Sequence, residues 1–323
     1  MIESGALPTK MTSVNIDIKI GFIGLGQMGL GMATMLTQAN VPLLVMDLNT
    51  DSVAALIAFD TVNEASLSTI ALECDLVFTC LPDEAAIEHL LFSKGGLLAV
   101  SGRLHTVIDT STLNAECSRE FATKALQTGV TYCDCPVSGL PKRAHNGTLT
   151  MMFGGSETAF ELARPYLDII GETVLHCGNV GSGQMTKAIN NIVYDINIAA
   201  ICEVLPLAVK AGLDPLILER LLTSGSSRSF ASEHFIPKIM AGQFKDDFSL
   251  QAAHKDIVNV QQITEALKAD TPLIDAMTGS YEKAIDAGFG HQPKSAMIKV
   301  YEEALGVTVR RGSASTIKNF KNT

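Results

Sequence analysis

The sequence has few basic residues for its length. Its 323 residues include 24 lysines and arginines against 34 aspartates and glutamates, which gives a formal net charge of −10. Proteins that bind nucleic acids need a basic face to neutralise phosphates, so we expect no nucleic-acid partner. The tail has a local basic cluster, which we interpret as a solvated chain end. Its members are Arg310, Arg311, Lys318 and Lys321.

Targeting and membrane signals are lacking as well. The first fifteen residues contain no arginine and no apolar run behind a basic region, so neither a secretory nor a transit peptide is indicated. We interpret residues 1–17 as a disordered leader. No uninterrupted apolar run reaches the length of a membrane span, so we expect no membrane partner and a cytoplasmic protein.

The cysteines do not indicate a metal site. There are seven of them, an odd number, and most lie in apolar surroundings, which is typical of buried reduced thiols. Cys133 and Cys135 have the wrong spacing for a zinc knuckle, and no second pair accompanies them. We therefore predict no metal.

Strand and helix patterns alternate between residues 18 and 180, which predicts a parallel sheet covered by helices on both faces. The predicted strands are 18–23, 43–47, 76–80, 106–109, 131–134, 148–153 and 174–177. The predicted helices between them are 30–38, 51–59, 85–92, 115–127 and 157–169.

Strand patterns stop after residue 183. A long helix is predicted at 184–211, and further helices follow at 215–224, 232–240, 249–267, 272–287 and 295–305. We therefore predict an α/β domain at 18–180, an all-helical domain at 181–308 that begins with a long connecting helix, and a flexible tail at 309–323.

A glycine-rich turn follows the first predicted strand and precedes the first predicted helix. It consists of Gly24, Leu25, Gly26, Gln27, Met28 and Gly29. The first glycine allows a tight turn, the second lets backbone amides approach a pyrophosphate, and the third permits close packing of helix on strand. Because the strand and helix are both in place, the motif predicts a dinucleotide-binding, doubly wound sheet of the Rossmann type.

Asp47 ends the second predicted strand, where a carboxylate can bind the ribose hydroxyls of a dinucleotide. Leu48, Asn49 and Thr50 follow, in the place where an arginine would bind the 2′-phosphate of NADP. The charge of Asp47 would also repel that phosphate. The cofactor is therefore predicted to be NAD rather than NADP.

Two more segments end predicted strands at the same edge of the sheet, where ligands of such sheets bind. Leu81 and Pro82 follow the strand 76–80, and Thr112 follows the strand 106–109. These segments are candidates for lining the nicotinamide end of the site. For Ser111 and Thr112 the alternative interpretation is a helix N-cap.

Lys187 follows a glycine pair, Gly181 and Gly183, at the start of the long helix. Lys187 and Asn191 are four residues apart, so they project from the same helix face. Burial among apolar neighbours would favour the neutral amine and suit Lys187 to proton transfer. The alternative is a lysine that extends to water, and this pattern alone leaves both interpretations open.

Ser138 and Gly139 lie in an irregular loop after the strand 131–134. The serine hydroxyl and the amides beside Gly139 could hold a substrate carboxylate. The alternative is a tight loop whose serine bonds its own backbone.

Taken in order, these motifs resemble the β-hydroxyacid dehydrogenase family, over about residues 20–305. Besides the glycine turn, the matching motifs are Asp134-x-Pro136-Val137-Ser138-Gly139, Gly147-Thr148-Leu149, Gly181-x-Gly183-x-x-x-Lys187-x-x-Asn190-Asn191 and His254-Lys255-Asp256.

The resemblance implies Lys187 as catalytic acid/base and hydride exchange between NAD and a small hydroxyacid, of the 3-hydroxyisobutyrate, glycerate, tartronate semialdehyde or threonate type. It implies three substrate contacts, Ser138, Gly139 and Asn191. It also implies cofactor contacts from Thr112 and Lys255.

The sequence departs from the family pattern at three positions. Leu140 replaces a second glycine, which puts one backbone contact to substrate in doubt. Met35 stands where asparagine is common, and Lys294 where an acid is usual. We expect the last two to alter packing more than chemistry.

Three alternatives stay open. A 6-phosphogluconate-like enzyme would need a basic cluster that the sequence does not reveal, and imine reductases of this architecture generally replace the lysine. A non-catalytic dinucleotide-binding scaffold is the third. The long helix is apolar nearly all round, so we also expect a homodimer or homotetramer.

Overall fold

The computed structural model describes residues 18–245 and 248–312, which form two compact units. The first unit ends at Lys187 and the second begins at Ala188, so the division lies inside the long helix. The predicted leader and residues 313–323 of the predicted tail lie outside the described residues.

The first unit is built on a nine-stranded sheet in the order β3-β2-β1-β4-β5-β6-β8-β7, with β9 paired to β8. Neighbours from β3 to β6 are parallel, whereas β8 is antiparallel to both β6 and β7. The strands are β1 Ile20–Ile23, β2 Leu43–Met46, β3 Val62–Glu64, β4 Leu76–Thr79, β5 Thr106–Asp109, β6 Thr131–Asp134, β7 Val137–Ser138, β8 Leu149–Gly154 and β9 Gly171–Gly178. The predicted doubly wound sheet is confirmed, with an antiparallel extension at one side.

Helices cover both faces of this sheet. They are α1 Gly29–Gln38, α2 Thr50–Ile57, α3 Leu67–Glu73, α4 Glu84–Phe92, α5 Ala115–Leu126, α6 Pro141–His145 and α7 Glu157–Ile170. The sequence analysis missed β3, α3, β7 and α6. All four have seven residues or fewer, too short for a helical or alternating pattern to stand out.

Alternate residues of the central strands supply two apolar cores. Phe22 and Phe78 point to one face, where their rings stack with centroids 5.9 Å apart. Their neighbours Ile23 and Val77 point to the other face. Successive strand residues face opposite ways, so strands β1 and β4 are buried on both sides, as is typical of parallel sheets.

The second unit is helical throughout its described residues. Its helices are α8 Ser182–Lys210, which begins in the first unit, then α9 Pro215–Ser224, α10 Phe230–Met240, α11 Leu250–Ala266, α12 Pro272–Ala284 and α13 Ile298–Leu305. A short π-helix, Ile285–Phe289, and a short 3₁₀-helix, Lys294–Met297, separate α12 from α13. The α-helix gives way to a π-helix at Ile285, so α12 ends three residues earlier than the sequence predicts, and Gly288, with a φ of 86°, then ends the helical backbone.

By length and composition alone, α8 is apolar enough to cross a membrane, which the sequence analysis did not expect. The expectation rested on uninterrupted apolar residues, and polar residues interrupt the run, among them Asn190, Asn191, Asp195, Asn197 and Glu203. One such helix is weak evidence, since a core helix of a soluble protein passes the same test.

The predicted tail is anchored over its first residues. Val309 is fully buried, and its amide donates to Glu302 at 2.7 Å. Arg310 donates to both oxygens of that carboxylate, and Arg311 donates to Glu219. Residues 309–311 are therefore not a solvated end, because the largely buried Glu302 carboxylate needs these partners.

Candidate functional site

The three glycines of the turn have different structural roles. Gly24 has a φ of 95°, and a Cβ there would collide with the carbonyl oxygen of Cys80. A Cβ on Gly29 would collide with the carbonyl oxygen of Gly24. Gly26 is exposed, and a Cβ there would meet nothing within 4 Å. Two glycines are thus needed for packing, while the middle one leaves open space at the surface of the turn.

Helix α1 begins without a side-chain cap, since Met28 at its N-cap has no polar atom suited to the task. Within the described residues, the amides of Gly26, Gln27 and Met28 make no hydrogen bond. Five other helices of this unit are capped, by Asn49, Ser66, Asp83, Asn114 and Ser156. Free donors at the positive end of a helix dipole suit an anionic ligand.

Asp47 lies directly beside this turn. One carboxylate oxygen accepts a hydrogen bond from the amide of Leu25, and the other accepts from the amide of Asn49 at 2.7 Å. Each oxygen retains further capacity to accept. The open turn and the fixed carboxylate thus fit a dinucleotide, with the pyrophosphate at the amides and a ribose at Asp47.

The ends of β4 and β5 are joined to one another. The amide of Leu81 donates to Ser111 Oγ at 2.8 Å, while Pro82 and Thr112 are exposed. The N-cap interpretation of Ser111 and Thr112 was wrong, because the side chain of Asn114 caps α5. The buried Ser111 instead holds the loop after β4.

Asp109 joins residues of neighbouring strands at this edge of the sheet by hydrogen bonds, a role that was not predicted from the sequence. It is fully buried and accepts hydrogen bonds from Thr79 Oγ1 at 2.8 Å, Tyr132 Oη at 2.7 Å and the Ser111 amide at 3.0 Å. Burial raises the pKa of its carboxyl group despite these donors. An acid ending a buried apolar strand was the available signal.

Gln184 ties the same edge to the start of α8. Its Oε1 accepts from the amide of Leu113 at 3.0 Å, and its Nε2 donates to the carbonyl of Ser111 at 2.8 Å. The side chain is buried, at 2% exposure, so it has no competing water.

Asp134 caps α8. Its two carboxylate oxygens accept from the amides of Gly181, at 2.6 Å, and Gln184, at 2.8 Å. Gly183 packs so closely that a Cβ would collide with the carbonyl of Met152. Burial raises the pKa of the Asp134 carboxyl group to about 6. This effect exceeds that of the hydrogen bonds from backbone amides, which lower the pKa. The glycine pair thus places the helix start against the sheet, and the half-buried Lys187 follows Gly183 by four residues.

The remaining expected contacts from the helical domain lie in the second unit. Asn191 is one turn beyond Lys187 on α8, and its Nδ2 lies 3.5 Å from an Asp256 oxygen. Lys255 is exposed on α11, next to Asp256 in sequence. Two polar residues of the sequence motifs, Asn191 and Asp256, therefore meet within this unit.

Ser138 and Gly139 lie in the first unit, where β7 ends. Ser138 is half-buried and pairs with Thr150 on β8. Gly139 has a φ of 142°, and a Cβ there would lie 2.7 Å from Leu149 Cδ2, so this position requires glycine. Leu140, at the second glycine position of the family pattern, is 37% exposed before α6.

The other two departures have different outcomes. Met35 is buried and its Cε would lie 2.8 Å from a Cβ on Gly147, which agrees with a packing role. Lys294 is also buried, but it forms an ion pair with Asp195 at 2.5 Å. The expectation of simple packing was therefore incomplete for Lys294.

Comparisons with known proteins identify relatives of both parts of the chain. A sequence profile for the NAD binding domain of 6-phosphogluconate dehydrogenase matches residues 19–178. A second profile, for the NAD-binding domain of NADP-dependent 3-hydroxyisobutyrate dehydrogenase, matches residues 181–301.

Whole-length relatives are similar as well. A 2-(hydroxymethyl)glutarate dehydrogenase from Eubacterium barkeri is 35% identical over 92% of this chain and 99% of its own. A 2-hydroxy-3-oxopropionate reductase from Escherichia coli is 30% identical over 88% and 97%. The crystal structure of a 3-hydroxyisobutyrate dehydrogenase from Salmonella typhimurium superposes with a TM-score of 0.78, at 27% identity, over 88% of this chain and all of that one.

The fold and the open glycine turn define a dinucleotide-dependent oxidoreductase. The chain belongs to the β-hydroxyacid dehydrogenase family. Its activity is NAD(P)-dependent exchange of hydride with a small hydroxyacid.

Gly26→Ala should separate folding from cofactor binding. The new methyl group meets no protein atom, so the melting temperature should change by no more than about 2 °C. The methyl group occupies the space that a pyrophosphate needs, so NADH binding should weaken at least about tenfold. Gly279→Ala, a similarly open position on α12, is the control that should bind NADH normally. Unchanged NADH binding by Gly26→Ala, measured by fluorescence titration, would contradict the assignment.

The stability contributed by Asp134 should fall as the pH rises from about 4 to about 6. Its pKa is raised from 3.8 to about 6, so the folded protein holds a proton that the unfolded chain has released. The contribution is fully present below the unfolded pKa and is lost as pH passes the folded one, by about 3 kcal/mol at most.

Urea unfolding of the wild type and of Asp134→Asn, at about pH 4.5 and about pH 7.5, measures this effect. The stability of the wild type relative to the variant should be greater at the lower pH. A difference that does not change with pH would refute the raised pKa.

Proposed function

We propose that this chain oxidises and reduces a small β-hydroxyacid with NAD, using Lys187 as its acid/base. The observation that supports this most directly is the capped start of α8. Asp134 and Gln184 hold the first turn of that helix to the sheet edge that also carries Asp47 and the glycine turn. Lys187 follows within one turn, in the same unit.

The proton is the part of the reaction that this chain's residues handle. When bound, the nicotinamide accepts or returns the hydride. In oxidation, neutral Lys187 takes the proton from the substrate hydroxyl at Nζ. In reduction, the ammonium group of Lys187 returns that proton to the oxygen as negative charge develops there.

Substrate orientation is proposed for three groups. The amides beside Gly139 and the hydroxyl of Ser138 would hold the carboxylate, and Asn191 would bind the substrate from the turn after Lys187. Thr112 and Lys255 would contact the cofactor. The names of the similar proteins support 3-hydroxyisobutyrate, hydroxymethylglutarate and tartronate semialdehyde as the first acids to assay.

The alternatives have less support. Arg228 of the helical unit is exposed and is ion-paired with Glu233 at 2.5 Å, so it offers little support for a second substrate anion. We therefore propose no cluster of basic residues for binding a phosphate group, and a sugar-acid phosphate is disfavoured as the substrate. The retained lysine disfavours an imine reductase and a non-catalytic scaffold.

Lys187→Ala should abolish turnover while leaving NADH affinity nearly intact. Loss of the acid/base group should lower kcat by at least about 10³-fold, and the NADH dissociation constant should stay within about threefold. Initial rates with a panel of hydroxyacids and an NADH titration measure the two effects. Lys210→Ala, at the far end of α8, is the matched control that should keep its activity. Near-normal rates in Lys187→Ala would eliminate this lysine as acid/base.

Asp47→Asn should shift the cofactor preference toward NADP. The wild-type carboxylate would repel a 2′-phosphate, and the amide would not, so the ratio of kcat/KM for NAD over NADP should fall at least about tenfold. Asp51→Asn, four residues on and exposed, is the control that should leave the ratio unchanged. A wild-type enzyme that already prefers NADP would refute the proposed preference.

We also propose that a second copy of this chain covers the apolar side of α8 and α9. Ile189, Val193 and Leu207 of α8 are each more than half exposed, as are Ile217 and Leu221 of α9. Surfaces of this kind mark association sites. Sedimentation should give a multiple of the 34.4 kDa chain mass, and Ile217→Glu should lower it while Leu126→Glu does not. A monomeric wild type at about micromolar concentration would contradict this proposal.

A further inference from the structure

Three buried polar side chains from separate elements meet in the second unit. They are Asp195 of α8, Tyr281 of α12 and Lys294 of the turn before α13, with exposures of 1%, 0% and 4%. Lys294 Nζ lies 2.5 Å from Asp195 Oδ1, and Tyr281 Oη donates to the same oxygen at 2.9 Å. We call these residues the buried triad.

The buried triad is not explained by stability alone. Removing two charges from water costs about as much as their attraction returns, so buried ion pairs can often be replaced by apolar side chains without loss. Where such pairs are retained, the best-attested benefit is that they specify one arrangement of the packed elements. Lys294 Nζ also lies over the rings of Tyr194, at 4.8 Å, and Phe248, at 5.4 Å, which adds directional contacts.

Helix α8 is an element whose arrangement needs such specification. Ile192 and Ile198 are buried, yet Ile189 and Val193 on other sides of the same helix are about half exposed. Because apolar residues surround the axis, burial alone discriminates weakly between rotational settings of the helix. The Asp195 carboxylate discriminates strongly between these rotational settings. It must reach both Tyr281 and Lys294, and any other setting of the helix would leave it buried and unpaired.

We propose that the buried triad sets the rotation of α8 about its axis within the second unit and thereby aims Asn191. Asn191 lies four residues before Asp195, about 6 Å away along the same side of the helix. Asp195, Tyr281 and Lys294 are thus positioning residues. Their catalytic consequence rests on the substrate contact proposed for Asn191, but their effect on the helix does not.

A native cysteine reports the rotation without any assay of activity. Cys202 follows Asp195 by seven residues on α8 and is fully buried, with Sγ 3.8 Å from the carbonyl oxygen of Ser295. Ser295 is the neighbour of Lys294, so Cys202 is covered only while α8 keeps its present setting against that turn. Its alkylation in the folded protein, read by peptide mass spectrometry, therefore measures the setting.

The decisive variant replaces all three groups, as Asp195→Leu with Tyr281→Phe and Lys294→Met, so that the three polar groups of the buried triad are removed together. It should fold and melt at about the wild-type temperature or above it. Alkylation of Cys202 should become at least about tenfold faster. With a hydroxyacid, kcat should fall about a hundredfold, because a misplacement of about 1 Å has that effect, while NADH affinity stays within about threefold.

A matched control replaces a different ion pair of the same unit, as Glu219→Gln with Arg311→Met. That pair joins α9 to residue 311 and contains no residue of α8, so kcat and Cys202 protection should both stay at wild-type values. Tyr281→Phe alone removes one hydrogen bond and no charge, and it should give a smaller change in the same direction should the triple variant not fold.

The outcomes are separable. A stable triple variant with protected Cys202 and wild-type kcat and KM would overturn the proposal, as would a variant that loses only melting temperature. Faster alkylation with reduced kcat supports it. If the wild type turns over no hydroxyacid, the proposed function has failed instead, and the alkylation rates still test the rotation.

Discussion

The capping of α8 by Asp134 is the interaction on which the rest of the site depends. The buried Asp134 carboxylate accepts hydrogen bonds from the amides of Gly181 and Gln184. Because Asp134 is the last residue of β6, these bonds hold the start of the long helix at the end of that strand. Burial makes this carboxylate costly to ionise, as its raised pKa shows. The amide hydrogen bonds offset part of that cost, and Gly183 allows the close approach of helix and sheet, since a Cβ there would collide with the carbonyl of Met152. The position of Lys187 follows from this single junction.

The candidate site separates rigid support from ligand contact. Buried polar groups, chiefly Asp109 and Gln184, join strand ends and helix start by hydrogen bonds that water cannot disturb. The groups left free lie at the surface of the same edge: the amides around Gly26 and the remaining lone pairs of Asp47. A dinucleotide would therefore meet donors that are already oriented, which reduces the entropy lost on binding.

Much of this arrangement was predictable from local sequence signals. The strand before Gly24 and the helix after it made the turn recognisable, and the sheet type followed from alternating strands and helices. The true cap of α5, Asn114, bonds an amide only two residues away, so it was a local signal that the prediction of Ser111 or Thr112 as the cap passed over. Asp109 was not recognised, because its partners Thr79 and Tyr132 are 30 and 23 residues away. The same limit applied to Lys294, whose partner Asp195 is 99 residues away. A lone charged residue in an apolar segment does not say which residue will neutralise it.

The sequence by itself determined the fold class, the dinucleotide turn with Asp47, and the order of motifs that defines the family. These are local properties, set by hydrophobic periodicity and by the few backbone conformations that only glycine allows. Only the tertiary structure decided which glycine of the turn is open, that Asp134 holds the start of α8, and that Asp195, Tyr281 and Lys294 meet in one place. Such pairings depend on chain segments far apart in sequence, and the cost of burying an unpaired polar group is what selects them.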